Sequence, residues 1–439
     1  MATSLQIPVE HAVLENGLRV VVAPERSVPV VTAGVYYHIG FRLEPKGRSG
    51  FAHLFEHMMF QGSENAGKTM HIRLIHASGG VLNGSTRYDV TNYFQAVPSN
   101  ALERVLWLEA DRMRALRVDE ENLRNQRDVV KEEVRLNVLN QPYGGFPWLD
   151  LPPVAYRNWH NAHNFYGDFA DLDAATLDDV QKFFRTYYAP NNAVLVVAGD
   201  VVPDEGFRLA RRYFESIPPN PAIPAADLSE PPQTEERRGE VEERFGTLPA
   251  MAIGYHAPLR LTPDWQAVGL LDQVLHGGRA GRVYRRLVLE KQLAVETAGG
   301  LHYPLGDALD YAGPTLLVTT ILHKPEWTAE QTLAAFDEVV AEVQEEGVRE
   351  EELAQVQVKL RADYVSALEG GMGSYMPRFG LLHYLACFTL FDNNPLLVRT
   401  ILDSFLEVTP QQVQSAAQKY LVRTNRAVVF RRPRKGSGP

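Results

Sequence analysis

The chain has 439 residues, more than one hydrophobic core usually serves, so two or more domains are expected. Its 45% hydrophobic and 22% charged content is ordinary for a soluble globular protein. A net charge of −10 excludes a nucleic-acid binder working through a general basic surface, and a single cysteine, Cys387, excludes an intrachain disulfide or a zinc site of several thiolates.

Residues 9–40 read as strands parted by turns. Asn16-Gly17 between two β-rich runs is a hairpin signal. Val30–Tyr37, just behind Pro29, has the β-branched and aromatic content of a central strand. Gly40–Gly50 reads as a loop. Ser49–Gln61 follows and contains His53-Leu54-Phe55-Glu56-His57, the order H-x-x-E-H. On a helix, His53 and His57 are i and i+4 and lie on one face about 6 Å apart. Two imidazoles so placed can hold one metal ion, and Glu56 can reach a water beside it. The apolar neighbours Phe51, Leu54, Phe55, Met58, Met59 and Phe60 bury this helix on most sides, where unpaired histidines and a carboxylate are costly. The alternative is a pair of hydrogen-bonded core histidines with a solvated glutamate.

A helix over Thr69–Ala77 stops at Gly79-Gly80, and strands follow over Val81–Ser85 and Thr91–Val97. Ala101–Leu116 and Asp119–Leu139 have helical spacing, Pro142–Pro153 reads as a loop, Leu177–Tyr188 as a helix and Ala193–Gly199 as an apolar strand. Ile217–Pro232 is dense in proline, the composition of a semi-rigid linker. Then the order starts again. Met251–His256 repeats the pattern of Ala33–His38, Trp265–Leu275 takes the place of the motif helix without its H-x-x-E-H, and a strand near Ala427–Phe430 closes the second half. The expected fold is α+β: two similar domains, each a mixed, mainly antiparallel sheet packed with helices. Residues 1–217 form the metal-binding domain, 218–234 the linker, 235–432 a second domain without a metal site, and 433–439 a basic tail.

Glu369–Ser374 is too rich in glycine for a helix interior and lacks the Lys and Ser/Thr of a nucleotide-phosphate loop, so it reads as a mobile or substrate-side loop. Arg431–Lys435 reads as a solvated terminus and Cys387 as a buried thiol. His71, His76, His160, His163, His256, His276, His302 and His383 read as structural or surface residues. No stretch approaches the ~18 unbroken apolar residues that span a bilayer. Met1–Gln6 has neither a basic nor an apolar leader region, so the chain as given reads as cytoplasmic, with no membrane or nucleic-acid partner.

A catalytic zinc takes three protein ligands and leaves a position for water, so two histidines leave one ligand to find. Glu132 and Glu133 are candidates, and on a helix they point about 100° apart. Val129 and Val130 mark the buried side; Glu133 follows them at i+4 and i+3, while Glu132 points to solvent. The alternative for Glu133 is a helix-surface glutamate.

On these residues the chain resembles the pitrilysin-like zinc peptidases, the inverzincins, in which H-x-x-E-H reverses the commoner H-E-x-x-H order. It looks most like the bacterial relatives of the mitochondrial processing peptidases. The resemblance runs through Gly79–Thr86, Asp89-x-Thr91-x-Tyr93, Leu108–Met113 and Tyr188–Ala193 leading to Ala198–Asp200. It implies a zinc endopeptidase with Zn2+ on His53, His57 and Glu133, the last about 76 residues after the second histidine as in that family. Glu56 is then the general base. The peptide substrate adds as a strand along Val81–Thr86, with Asn83, Gly84 and Ser85 as substrate-binding positions; a turn-forming role for Asn83 beside Gly84 is the alternative. Two positions depart from the family. Gln126 stands where many relatives carry a glutamate behind the third ligand, and Val288 and Val295 stand where active relatives carry an arginine and a tyrosine. The resemblance therefore implies a heterodimer with a homologous subunit that lacks the zinc motif but supplies that pair. A second reading is a non-catalytic scaffold subunit, like the core proteins of respiratory complexes.

Overall fold

The computed structural model describes residues 5–370 and 378–434. Gly371–Ser374 of the glycine-rich segment and all but two residues of the basic tail lie outside the described residues.

The first half lays down β1 (Glu10–Val13), β2 (Arg19–Pro24), β3 (Val30–Tyr37), α1 (Phe51–Met58), α2 (Met70–Ala77), β4 (Val81–Thr86), β5 (Thr91–Pro98), α3 (Leu102–Ala115) and α4 (Glu120–Val134). Three short helices follow, α5 (Pro152–Ala155), α6 (Trp159–Ala162) and α7 (Phe169–Asp173), then α8 (Leu177–Tyr187), β6 (Ala193–Gly199) and α9 (Pro203–Phe214). Residues 218–236 form neither helix nor strand. The second half adds β7 (Arg237–Glu243), β8 (Ala250–His256), α10 (Pro263–His276), α11 (Arg282–Tyr284), β9 (Ala294–Leu301) and β10 (Leu316–His323). Helices α12 (Ala329–Glu346), α13 (Glu350–Glu369), α14 (Phe379–Asp392), α15 (Leu397–Leu406) and α16 (Pro410–Tyr420) precede the last strand, β11 (Arg426–Pro433).

The strands form two sheets, one of six in the order β1-β2-β6-β3-β5-β4 and one of five in the order β7-β11-β8-β10-β9. In the first, β2 and β6 are parallel and every other pair is antiparallel. In the second, β7 and β11 are parallel and the rest antiparallel. With β1 set aside, order and sense are the same, so the α+β repeat expected from the sequence is present: β3 matches β8, β6 matches β11, and the outermost β4 matches the outermost β9. Neither sheet closes into a barrel.

Two compact units hold these sheets, and neither is one continuous stretch. The first comprises residues 1–132, 164–226 and 363–401; the second comprises 133–163, 227–362 and 402–439. Helix α14 therefore belongs with the first sheet, where it packs on β2, β3 and β6. Its residues Phe379–Leu390 are all buried, as expected of a helix apolar on every side. Cys387 is among them, a buried thiol. In the second unit α5 packs on β7 and β11, where Leu151, Ala155 and Tyr156 join a core with Ala252, Val318 and Val429.

Local chemistry explains most element boundaries. Gly17 takes φ 83° in the first hairpin, and the buried Asn16 donates from Nδ2 to the carbonyls of Phe214 (2.8 Å) and Ile217 (3.0 Å), tying that turn to the end of α9. Thr176, Thr328 and Thr409 each close a capping box at α8, α12 and α16. Three expectations need correction. Helix α4 ends at Val134 and continues as a wider π turn over Arg135–Leu139. The Pro142–Pro153 loop runs directly into α5. Arg431 and Arg432 are not a frayed terminus: they lie in β11, where Arg431 is buried against Glu243 and Asp150 (3.0 Å each).

Candidate metal centre and peptide-binding edge

Helix α1 is held at its start by groups the sequence does not single out. Gly50, its N-cap, has φ 84°, and a Cβ there would lie 2.7 Å from the Tyr166 carbonyl oxygen, so only glycine fits. Fully buried Glu44 accepts hydrogen bonds from the N–H groups of Gly50 (2.9 Å) and Ala52 (2.6 Å), placing negative charge at the positive end of the helix. The Ser49 hydroxyl donates to Asp171 on α7 at 2.6 Å. On the inner face, Phe55 stacks on Phe183 (centroids 5.0 Å apart), and the Tyr93 hydroxyl donates to the Phe55 carbonyl at 3.0 Å. Burial drives that phenol well above its ordinary pKa, so it stays a neutral donor.

Helix α4 is held beside α1 through the same short helix: Lys131 Nζ lies 2.6 Å from the Asp173 carboxylate on α7. Its buried stripe is Asn122, Leu123, Gln126, Val130 and Val134, with Glu133 partly buried and Glu132 exposed. Glu132 and Glu133 thus sit as the helical spacing suggested. Val129 does not. It is 42% exposed, so the buried side is marked by Val130 and the residues one and two turns before it. Gln126 is buried on the Glu133 face, two turns earlier. The boundary between the two units falls just before Glu133, but α4 runs through it as one helix.

Among the described residues, His53, His57 and Glu133 form a group able to hold a metal ion, with candidate ligand atoms all within 4.8 Å of one another. Two ligands on one tetrahedral zinc are about 3.4 Å apart, so small side-chain rotations close this set, and two imidazoles plus a carboxylate suit zinc chemically. The His53 and His57 rings meet edge to face at 5.0 Å, and His53 lies against Tyr166 at 5.4 Å. The donor set fits the metal.

Glu56 points toward β4, the outermost strand of its sheet. A Cβ on Gly84 would lie 3.4 Å from Glu56 Cγ and 3.2 Å from the Asn92 oxygen, so the glycine lets helix and strand approach closely. Asn83 and Ser85 alternate onto the other face. Asn83 is exposed and its Oδ1 accepts from the Gly84 N–H at 2.9 Å, while the Ser85 hydroxyl donates to Asn92 at 2.7 Å.

In the second unit Val288 lies in the turn Arg285–Glu290, and Val295 lies on the outermost strand, 50% exposed. Nearby Arg282 is engaged by Glu352 (2.7 Å) and Arg286 by Glu342 (2.6 Å), so both serve in local ion pairs. His276 bridges Asp272 (2.9 Å) and Thr319 (2.8 Å), and His71 meets Gln95 (2.9 Å), both structural. The Leu108–Met113 block has its own explanation: Arg112 pairs with Glu109, both buried, and lies 4.4 Å over the Tyr93 ring beneath α1.

A repeated α+β fold with, among the described residues, one metal-ready trio beside a carboxylate follows the plan of a class of metal-dependent peptidases. The chain belongs to peptidase family M16: residues 19–142 match the model described as Insulinase (Peptidase family M16), and residues 174–360 match the Peptidase M16 inactive domain. The first match contains the trio and Glu56; the second covers most of the half without them. A zinc protease of Helicobacter pylori, PqqE, is 29% identical over 370 residues, 82% of this chain and 80% of that one. A probable mitochondrial-processing peptidase subunit beta of Arabidopsis thaliana is 27% identical over 209 residues, 47% of this chain and 39% of that one. Cytochrome b-c1 complex subunit 1 of Homo sapiens is 25% identical over 278 residues, 62% of this chain and 57% of that one. Among solved structures, a protease from Helicobacter pylori has TM-score 0.87 at 27% identity, covering 97% of this chain and all of that one (100%). The periplasmic protease PqqL from Escherichia coli shares the fold, with TM-score 0.77 at 18% identity over 98% of this chain and 48% of that one.

Proposed function

We propose that this chain is the zinc-bearing subunit of an endopeptidase that hydrolyses peptides or unfolded segments, with residues 1–217 as the metal-bearing half and 235–432 as the metal-free half. The observation that carries this reading is the convergence of His53, His57 and Glu133 beside Glu56 and an outermost strand. Zinc held by that trio supplies Lewis acidity, polarising the scissile carbonyl and acidifying water. The chain's own residues do the rest. Glu56 takes the proton of the attacking water and passes it to the leaving amine. The edge of β4 hydrogen-bonds the peptide as an added strand at Asn83, Gly84 and Ser85, a mode that reads backbone and so suits unfolded substrates. Buried Gln126, on the same helix face two turns before Glu133, can hydrogen-bond but supplies no charge.

Val288 and Val295 can neither bind an oxyanion nor orient a peptide by hydrogen bonds. We therefore assign that task to a homologous partner subunit that lacks the zinc motif and carries an arginine and a tyrosine. Two relatives carry names of subunits in larger assemblies, which supports a heterodimer. Likeness to the cytochrome b-c1 subunit favours the second reading, a scaffold subunit. Zinc analysis of protein purified without added metal separates the two: about one equivalent, lost in His57→Ala, supports the peptidase, and none supports the scaffold. No helix among the described residues is long and apolar enough to cross a membrane. We propose cytoplasmic residence; the PqqL neighbour is periplasmic, and cell fractionation decides between the two compartments.

A further inference from the structure

We infer that Thr86 is a positioning residue for Glu56, so that the strand offering its edge to the peptide also sets the carboxylate that moves the proton. The inference rests on the endopeptidase reading and adds a residue to it. Along β4, side chains alternate: Val81 and Asn83 are exposed and Ser85 partly buried, while Gly84 and Thr86 are buried toward α1. Gly84 has no side chain, which brings Glu56 close; Thr86, two residues on, supplies the hydroxyl. Its Oγ1 donates to Glu56 Oε2 at 2.7 Å. The other acceptor within reach, the Ala52 carbonyl one turn earlier on α1, is at 3.5 Å, and a hydroxyl has one proton to give. The 2.7 Å contact takes it.

A charge-assisted bond of that length, from a 7% exposed group on a strand, fixes one carboxylate oxygen and with it the plane of the carboxylate. Glutamate has three rotatable bonds, and a general base must be placed within hydrogen-bond reach of its proton. A displacement of about 1 Å can cost 100-fold in rate. Thr86 also pairs with Thr91 where β4 turns into β5, so its backbone is anchored independently of α1. Peptide register on β4 and the direction of the Glu56 carboxylate are therefore set by the same few residues.

The test compares wild type, Thr86→Val and Thr86→Ser, zinc-loaded and in the assembly that cleaves an unstructured peptide. Expected for Thr86→Val is a kcat lower by about 10–100-fold with KM within about twofold and zinc unchanged at one per chain, and Thr86→Ser recovers to within about threefold. A crystal structure of zinc-loaded Thr86→Val should show the Glu56 carboxylate rotated away from its wild-type place. Wild-type kcat, an unmoved carboxylate, loss of zinc, or a Thr86→Ser variant as slow as Thr86→Val overturns the inference. Failure of the endopeptidase reading looks different: Glu56→Gln cleaving like wild type, or no cleavage by wild type in any assembly. The carboxylate position still decides the role of Thr86 in that case.

Discussion

At the scale of single residues, variants test the proposed division between metal binding by His53, His57 and Glu133 and proton transfer by Glu56. Replacing His53, His57 or Glu133 with alanine should abolish stoichiometric zinc, read by metal analysis, because a three-ligand site loses a third of its donors. Glu56→Gln should keep the zinc and lower cleavage by at least about 100-fold; retained cleavage removes Glu56 from the base role. His71 yields a prediction on stability. Burial, with the Arg112 charge adding to it and a hydrogen bond to Gln95 opposing, takes its imidazole down to about 3. In the unfolded chain it titrates near ~6.5, so as pH falls below that value the unfolded state binds the proton first. The contribution of neutral His71 is thus full above pH ~6.5 and is lost progressively toward pH ~3, at about 1.4 kcal/mol per pH unit. Urea unfolding at pH 7, 6 and 5 should show wild type losing more stability than His71→Gln over that range. Parallel losses would mean His71 does not carry the term.

Elements show how the site is held. The N-terminus of α1 rests on Glu44 and on the left-handed Gly50, neither of which is part of the H-x-x-E-H signal. Glu44→Ala removes acceptors for two N–H groups and should cost about 1–3 kcal/mol in urea unfolding. Gly50→Ala should cost at least about 1–2 kcal/mol from backbone strain alone, with more from contact with the Tyr166 carbonyl. Both variants should weaken zinc binding, since they shift the helix that carries two ligands. An unchanged zinc affinity would show that α1 is held by its apolar face alone. Elements the sequence located well are β3 as a central strand, α3 by periodicity, α10 by its place in the repeat and the first hairpin by Asn16-Gly17. The end of α4 was less legible, because a π turn depends on tertiary packing rather than on propensity.

On the scale of the whole molecule, the exchange of segments between units has a direct consequence. Residues 1–217 alone lack α14, which covers β2, β3 and β6, so that fragment should expose an apolar sheet face. Expressed alone it should aggregate or unfold without cooperativity, and co-expression with residues 218–439 should restore folding. A cooperatively folding fragment would show that α14 is dispensable. For activity, mixing the chain with a homologous Arg/Tyr-bearing subunit should raise cleavage of an unstructured peptide at least about 100-fold over the chain alone; full activity from the isolated chain would remove the need for a partner.

The division between sequence and structure follows from the range of the forces involved. Histidines at i and i+4, a glutamate between them and a glutamate on a later helix are local patterns, so the H-x-x-E-H helix, Glu133 over Glu132, and the restart of strand-helix order in the second half were legible in the chain, whereas the shared sheet order came from the tertiary structure. That Val288 and Val295 are valines is a matter of residue identity; that an arginine and a tyrosine stand there in active relatives came only from the family resemblance. Tertiary structure alone decided which sheet α14 covers, since a helix apolar all round has no face to announce its neighbour. It also decided that Val129 faces solvent and that the Thr86 hydroxyl meets Glu56, because both depend on segments packed from far along the chain; Glu44 caps α1 from only six and eight residues away, through a loop path that no local pattern specifies.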